Sequence, residues 1–326
     1  ARVSAMMEGI ERYSAEVHDR EVLVESYSKL KADLNAVDPR DLAPPQESNP
    51  DMAIPWVSGF DLIRKEEVMV PASGVFHPLP MNYPQLFRTN TNGLASGNVL
   101  EEAVFHGLSE VIERDAWSLV EAVKRTGPLV TDVEDGLAAG LIEKFASAEV
   151  EVRIKDITSD VGVPTIAAAS DDLQLKDPAL LTIGMGTHTS AEVAVLRALT
   201  EVAQSRLTQI HGAREDTTTA DFRRQIGYER TKRLNRHWFE DIGTKSFGEI
   251  ESQDSEDFLD DINLMLRRLE ASGMDRAIVV DLTREEIGVP VVRVMVPGLE
   301  QSAVDPDRRG QRWRDEVKRN RRLSRA

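Results

Sequence analysis

Apolar residues return every three or four positions along residues 3–17, 98–125, 137–147, 190–211 and 258–272. That period predicts five amphipathic helices. Gly127 and Pro128 end the second, Ser190 and Gly212 cap the fourth, and Gly273 ends the fifth. β-Rich runs at 150–156, 165–170, 180–184, 277–281 and 289–297 read as buried strands. Residues 56–71 alternate around a polar centre, IRKEE, which predicts a hairpin. Five prolines fall in 38–55, a surface loop, and 216–257 is polar with mixed helical pieces. Strands and helices interleave throughout. The expected fold is therefore α/β or α+β, a mixed sheet with packed helices, in a single large domain over 1–326. The chain opens inside a helical pattern, so an upstream segment is expected before it.

Composition narrows the function. With 41 % hydrophobic and 29 % charged residues, the chain is globular, and no apolar run approaches the length of a membrane span. The N-terminus lacks a signal-peptide core, so a cytoplasmic location is expected. There is no cysteine, which excludes disulfides, thiolate metal sites and thiol nucleophiles from this chain. A net charge of -16 disfavours bulk nucleic-acid binding. Acid excess with only 10 Lys against 30 Arg suggests a salty cytoplasm, where self-repulsion is screened. Residues 307–326 depart from this pattern with nine basic and three acidic residues, leaving about -22 for the rest. This basic tail is either a solvated end or a dock for an acidic partner.

Three polar stripes carry the candidate chemistry. Ser4, Glu8 and Glu11 share one helix face; Asn98, Glu102, His106, Ser109 and Glu113 share another, with Glu110 at its edge and Arg114 further round. Arg197, Glu201 and Gln204 form the third. Paired Glu at i,i+3 repel by a few tenths of a kcal/mol, as Glu8 with Glu11 and Glu110 with Glu113 must. A divalent cation turns that repulsion into coordination, and Mg2+ takes one or two carboxylates plus substrate phosphates. Arg residues suit phosphate oxygens. A solvated face is the ordinary alternative for any one stripe. No Walker A motif is present. TIGMGTHTS sets Gly184 and Gly186 between a strand and a helix start, either an approach for an anion to backbone amides or a plain left-handed turn. His188 and His106 are read as structural histidines.

These residues resemble the YcaO family. SAMMEGIER matches its Ser-x-x-x-Glu-x-x-Glu-Arg motif through Ser4, Glu8, Glu11 and Arg12. TNGLASGNVLEEAVFHGLSEVIERDA is similar to its second signature, and GMGTHTSAEVAVLRALTEVAQSRL to its third, with Arg197 and Glu201. The resemblance implies Mg-ATP binding. Glu8, Glu11, Glu102 and Glu113 are then the expected Mg2+ contacts, and Ser4, Asn98, Glu110, Arg114, Arg197 and Glu201 the expected ATP contacts. It names no catalytic acid or base. Family members usually carry an upstream Lys for phosphate, and this chain begins after that segment.

DLTREEIGVPVVRVMVPGLE resembles the archaeal branch associated with thioamidation of methyl-coenzyme M reductase, and the chain does not end in the Pro-rich tail of azoline-forming relatives. The resemblance implies activation of a peptide backbone amide by O-phosphorylation, with sulfide then giving a thioamide. Because this chain has no cysteine to carry a persulfide, sulfur is expected as free sulfide or from a partner, and the resemblance implies a TfuA-like partner in that role, with a protein or peptide substrate and a possible homodimer. An azoline-forming cyclodehydratase and a non-catalytic scaffold are the competing expectations.

Overall fold

The computed structural model describes residues 2–18, 20–211 and 218–323. It divides into two compact units, one of residues 1–123 with 255–326 and one of residues 124–254. The first unit begins with α1 (Arg2–Ser14), β1 (Leu23–Glu25), α2 (Tyr27–Asp33), β2 (Ile54–Asp61), β3 (Glu66–Pro71), β4 (Leu94–Ser96) and α3 (Leu100–Val123). The second holds β5 (Leu129–Thr131), α4 (Gly136–Ser147), β6 (Val150–Asp156), β7 (Thr165–Asp172), β8 (Thr182–Thr187) and α5 (Ala191–His211). It continues with α6 (Thr218–Ile226), α7 (Tyr228–Leu234), α8 (Arg236–Phe239) and β9 (Thr244–Ser246). The first unit is completed by α9 (Phe258–Ala271), β10 (Ile278–Asp281), β11 (Val291–Met295) and α10 (Gln311–Leu323).

In the first unit the sheet runs β1-β2-β10-β11-β4, with β3 paired to β2, and every pairing is antiparallel. The predicted hairpin is β2–β3, closed by a turn in which Lys65 takes φ 55°. Trp56, Ile54, Val70, Phe76 and Ile278 are fully buried in one core cluster. α3 lies against β4 and β11. It buries Ala103, Phe105, Leu108, Ile112 and Ala116, and with them Ser109 and Glu113 of its polar stripe.

The second unit's sheet runs β8-β7-β6-β5-β9, antiparallel except for β5 with β9. All eight residues of β7, TIAAASDD, are buried. Ile166 and Ala168 of β7 share a core cluster with α5, which crosses β7 and β8 and buries Ala194, Ala198, Leu199 and Val202.

This packing corrects the reading of TIGMGTHTS. Gly184 and Gly186 lie inside β8, one residue pair from the strand end, not in a strand-to-helix turn, and neither has positive φ. A Cβ on Gly186 would stand 2.1 Å from the Ala194 carbonyl oxygen, and one on Gly184 would stand 2.4 Å from that of Ala198. The glycines let a helix backbone approach a strand backbone. A Gly186→Val variant should therefore lose about 3 kcal/mol of stability through overpacking. An unchanged urea midpoint would contradict this account.

The other differences have simple causes. α1 stops at Ser14, three residues early, and α3 stops at Val123, where Lys124 turns to φ 51° ahead of Gly127. β1, β4, β5 and β9 are three residues each, too short for a periodic signal. The predicted Gly212 cap lies outside the described residues. The basic tail is not a loose end through 323. Residues 311–323 are helical, and Arg312 makes a two-pronged bond to fully buried Asp115 of α3 at 2.9 and 2.8 Å.

Candidate functional site

α1 places Ser4, Glu8 and Glu11 on one face, as the spacing requires. Ser4 and Glu8 are exposed, and Glu8 pairs with Arg12 at 2.9 Å. Glu11 is half-buried against β4, where Ser96 donates to its Oε1 from the backbone N–H at 3.0 Å and from Oγ at 2.6 Å. Burial pushes the Glu11 carboxyl above its ordinary value, the Ser96 bonds pull it back, and the charge of Glu8 adds to the rise.

α3 brings its acids to the same part of the first unit. Glu110 accepts from the Gly93 N–H, and the charge of Glu11 acts on it directly. Burial raises its carboxyl, Arg114 and Arg293 oppose that rise, and Glu11 strengthens it. Arg114 lies 3.7 Å from both Glu110 and Glu113 and 5.4 Å from the centre of the Trp117 ring. Glu113 is buried. In the first turn of α3, Glu102 accepts from the Asn98 N–H at 2.6 Å and Nδ2 at 2.8 Å, and lies 3.7 Å from His106 Nε2. Burial works to raise the Glu102 carboxyl, but the Asn98 bonds and His106 outweigh it and leave it lowered. Ser109 is buried and donates its hydroxyl to the Phe105 carbonyl at 2.9 Å.

In the second unit, Arg197 and Glu201 lie on the face of α5 that covers the β8 glycines, and the Met185 N–H of β8 donates to Glu201 Oε2 at 2.7 Å. Gln204 is exposed. The sequence pattern missed Ser96, although it sits in the Gly-rich run before α3. It also missed the acids at the end of β7. Asp172 pairs with Arg206 at 2.9 Å, and Asp171 accepts from Tyr228 at 2.6 Å and Lys232 at 2.5 Å.

Among the described residues, no three His, Asp or Glu side chains converge as a ready metal cage. The donor set of the first unit still fits Mg2+ bound together with phosphates. It offers hard oxygen donors, with two partly buried carboxylates that burial raises above their ordinary pKa, and the charge of Glu11 adds to the rise at Glu110. A protein-only cage would need more.

The sequence profile described as YcaO cyclodehydratase, ATP- and Mg2+-binding, matches residues 1–300. The chain belongs to the YcaO family. A protein of Methanothermobacter thermautotrophicus without an assigned activity is 52 % identical over 324 residues, 97 % of this chain and 83 % of that one. A Rhizobium leguminosarum bv. trifolii protein, described only by its place in the tfuA 3' region, is 31 % identical over 92 % of this chain and 74 % of its own. The structure of YcaO from Methanopyrus kandleri bound with AMPPCP and Mg2+ is 33 % identical, with a TM-score of 0.80, over 95 % of this chain and 79 % of that one. The mixed α/β fold is thus the YcaO fold, and the family binds ATP and Mg2+ to activate backbone amides. No described helix is long and apolar enough to cross a membrane.

Proposed function

We propose that this YcaO chain converts a peptide backbone amide into a thioamide, with a glycine of the methyl-coenzyme M reductase alpha subunit or a similar protein as substrate. The observation that carries the activation chemistry is the Glu11–Ser96–Glu110–Arg114 arrangement, in which Ser96 fixes one half-buried carboxylate and Arg114 stands 3.7 Å from a second. The thioamide product is supported by the relative described by its place in the tfuA 3' region. A TfuA-like protein is the proposed sulfur donor, consistent with a chain free of cysteine. The family description as cyclodehydratase favours azoline formation as the second reading.

An amide resists attack because resonance strengthens its C–N bond and its oxygen leaves poorly. Mg-ATP, when bound, supplies the phosphoryl group that turns this oxygen into a leaving group. The protein's own part is charge and position. Glu8, Glu11, Glu102 and Glu113 are the proposed Mg2+ contacts. Ser96 fixes Glu11 by two bonds, and Asn98 fixes Glu102 by two more. Arg114 and Arg197 are proposed to neutralise phosphate oxygens, and Ser4, Asn98, Glu110 and Glu201 to fix the nucleotide. Glu201 is held in turn by the Met185 amide.

Calorimetric titration of Mg-ATP in high-potassium buffer tests the assignment. Wild type should bind, and Glu102→Ala and Arg197→Ala should each weaken binding by about 10–100-fold. Retained affinity in both would remove these residues from the site. Mass spectrometry of the treated peptide separates the products, since oxygen-to-sulfur exchange adds mass and azoline formation removes water.

A further inference from the structure

Two arginines in the first unit have no acidic partner. Arg293 of β11 is 3 % exposed and Arg308 is 2 % exposed. Arg293 donates to the Gly74 carbonyl from Nε and to Asn90 O and Oδ1 from Nη2. Arg308 donates to the carbonyls of Ala43 and Leu42, and its guanidinium lies 3.6 Å from the centre of the Phe87 ring. Among the described residues, neither makes a salt bridge. Buried charges in proteins are as a rule paired or bound to an ion.

Both arginines line one small cavity, together with Asn92 and Glu300. Its volume, counted as space open to the centre of a water-sized atom, is about 20 Å³, above the 10–15 Å³ or so that one water needs. Two buried polar atoms of its lining residues lack any partner, Arg293 Nη1 and Asn92 Oδ1. Glu300 does not serve as the counter-charge. Its Oε2 accepts from the Gly310 N–H and its Oε1 from the Trp313 N–H, each at 2.8 Å. Glu110 faces Arg293 and Asp305 faces Arg308, but both act only through their fields. Burial brings both guanidinium pKa values down to about 10, so both remain cationic at neutral pH.

We propose that this cavity is a binding site for one compact monovalent anion, held between Arg293 and Arg308. The orphan Nη1–H donates to it, and a turned Asn92 amide supplies a further N–H. A water molecule would satisfy the same atoms but would bring no negative charge into contact with either guanidinium. Chloride and hydrosulfide share the required charge and size. Larger oxyanions exceed the space.

Thermal unfolding in potassium gluconate, titrated with potassium chloride or hydrosulfide at constant ionic strength, tests the proposal. A saturable rise of about 2–4 °C is expected at tenfold excess over Kd. The anion with the lower midpoint is the one the site takes. Arg308→Met and Asn92→Leu should each abolish the response. Diffraction from wild-type crystals soaked in bromide, which needs no variant, should show an anomalous peak beside Arg293 Nη1. Equal melting in gluconate and in both test salts, with no bromide peak, would mean that the cavity holds water only and would overturn the proposal.

Discussion

Glu11→Gln should weaken Mg-ATP binding roughly 100-fold and slow turnover roughly 1000-fold, while leaving the protein as stable as its parent or more so. The amide oxygen can still accept from Ser96, so the geometry of α1 on β4 survives. What disappears is a half-buried negative charge beside Glu8 and Glu110. The pH dependence follows from the same burial. A carboxyl with a raised folded pKa holds its proton more tightly in the native state than in the unfolded chain. Its contribution to stability is present at low pH and is lost as pH rises through the folded pKa. Glu11 and Glu110 both behave this way. The free protein should therefore lose some stability above the ordinary carboxylate range, and Mg-ATP should restore it. Mg-ATP affinity should fall on acidification through the same window in wild type, and more weakly in Glu11→Gln. Melting curves against pH, with and without Mg-ATP, read both effects. Full affinity in Glu11→Gln would remove this carboxylate from the metal site.

Asp115→Ala should be the most damaging single change to stability, costing about 3–5 kcal/mol. Asp115 is fully buried on α3, grips the Arg312 guanidinium with two bonds and accepts the Glu300 N–H at 2.9 Å. Removing it leaves Arg312, which is largely buried, without this carboxylate and orphans a buried amide. It also releases the N-terminal turn of α10 from α3. Equilibrium urea unfolding gives the value directly. A loss below 1 kcal/mol would mean that α10 is held mainly by other contacts. Exposed pairs such as Glu8–Arg12 are worth little in comparison, by the general weakness of solvated ion pairs.

The long elements were written in the chain. α3, α5 and α9 each repeat their apolar period over many residues, and the β2–β3 hairpin alternates around a polar turn. The polar stripes were equally legible, because helical spacing alone puts Ser4, Glu8 and Glu11 on one face and Asn98, Glu102 and His106 on another. So was the absence of thiol chemistry, which needs only the composition.

Tertiary structure decided the rest. The pattern could not show that the Ser109 hydroxyl is taken by the Phe105 carbonyl while Ser96, on a three-residue strand, holds Glu11. Nor could it show that Gly184 and Gly186 serve helix-on-strand contact, since a glycine spaced for a loop and one spaced for a crossing look the same in one dimension. The basic tail read as a solvated end or a dock for an acidic partner because only its charges could be counted; α10 buries no residue, but Arg308 and Arg312 are held by carbonyls and a carboxylate far away in sequence. Sequence period determines which side chains share a face. Burial, and the charge it leaves without a partner, depends on what folds over that face, and those atoms come from distant parts of the chain.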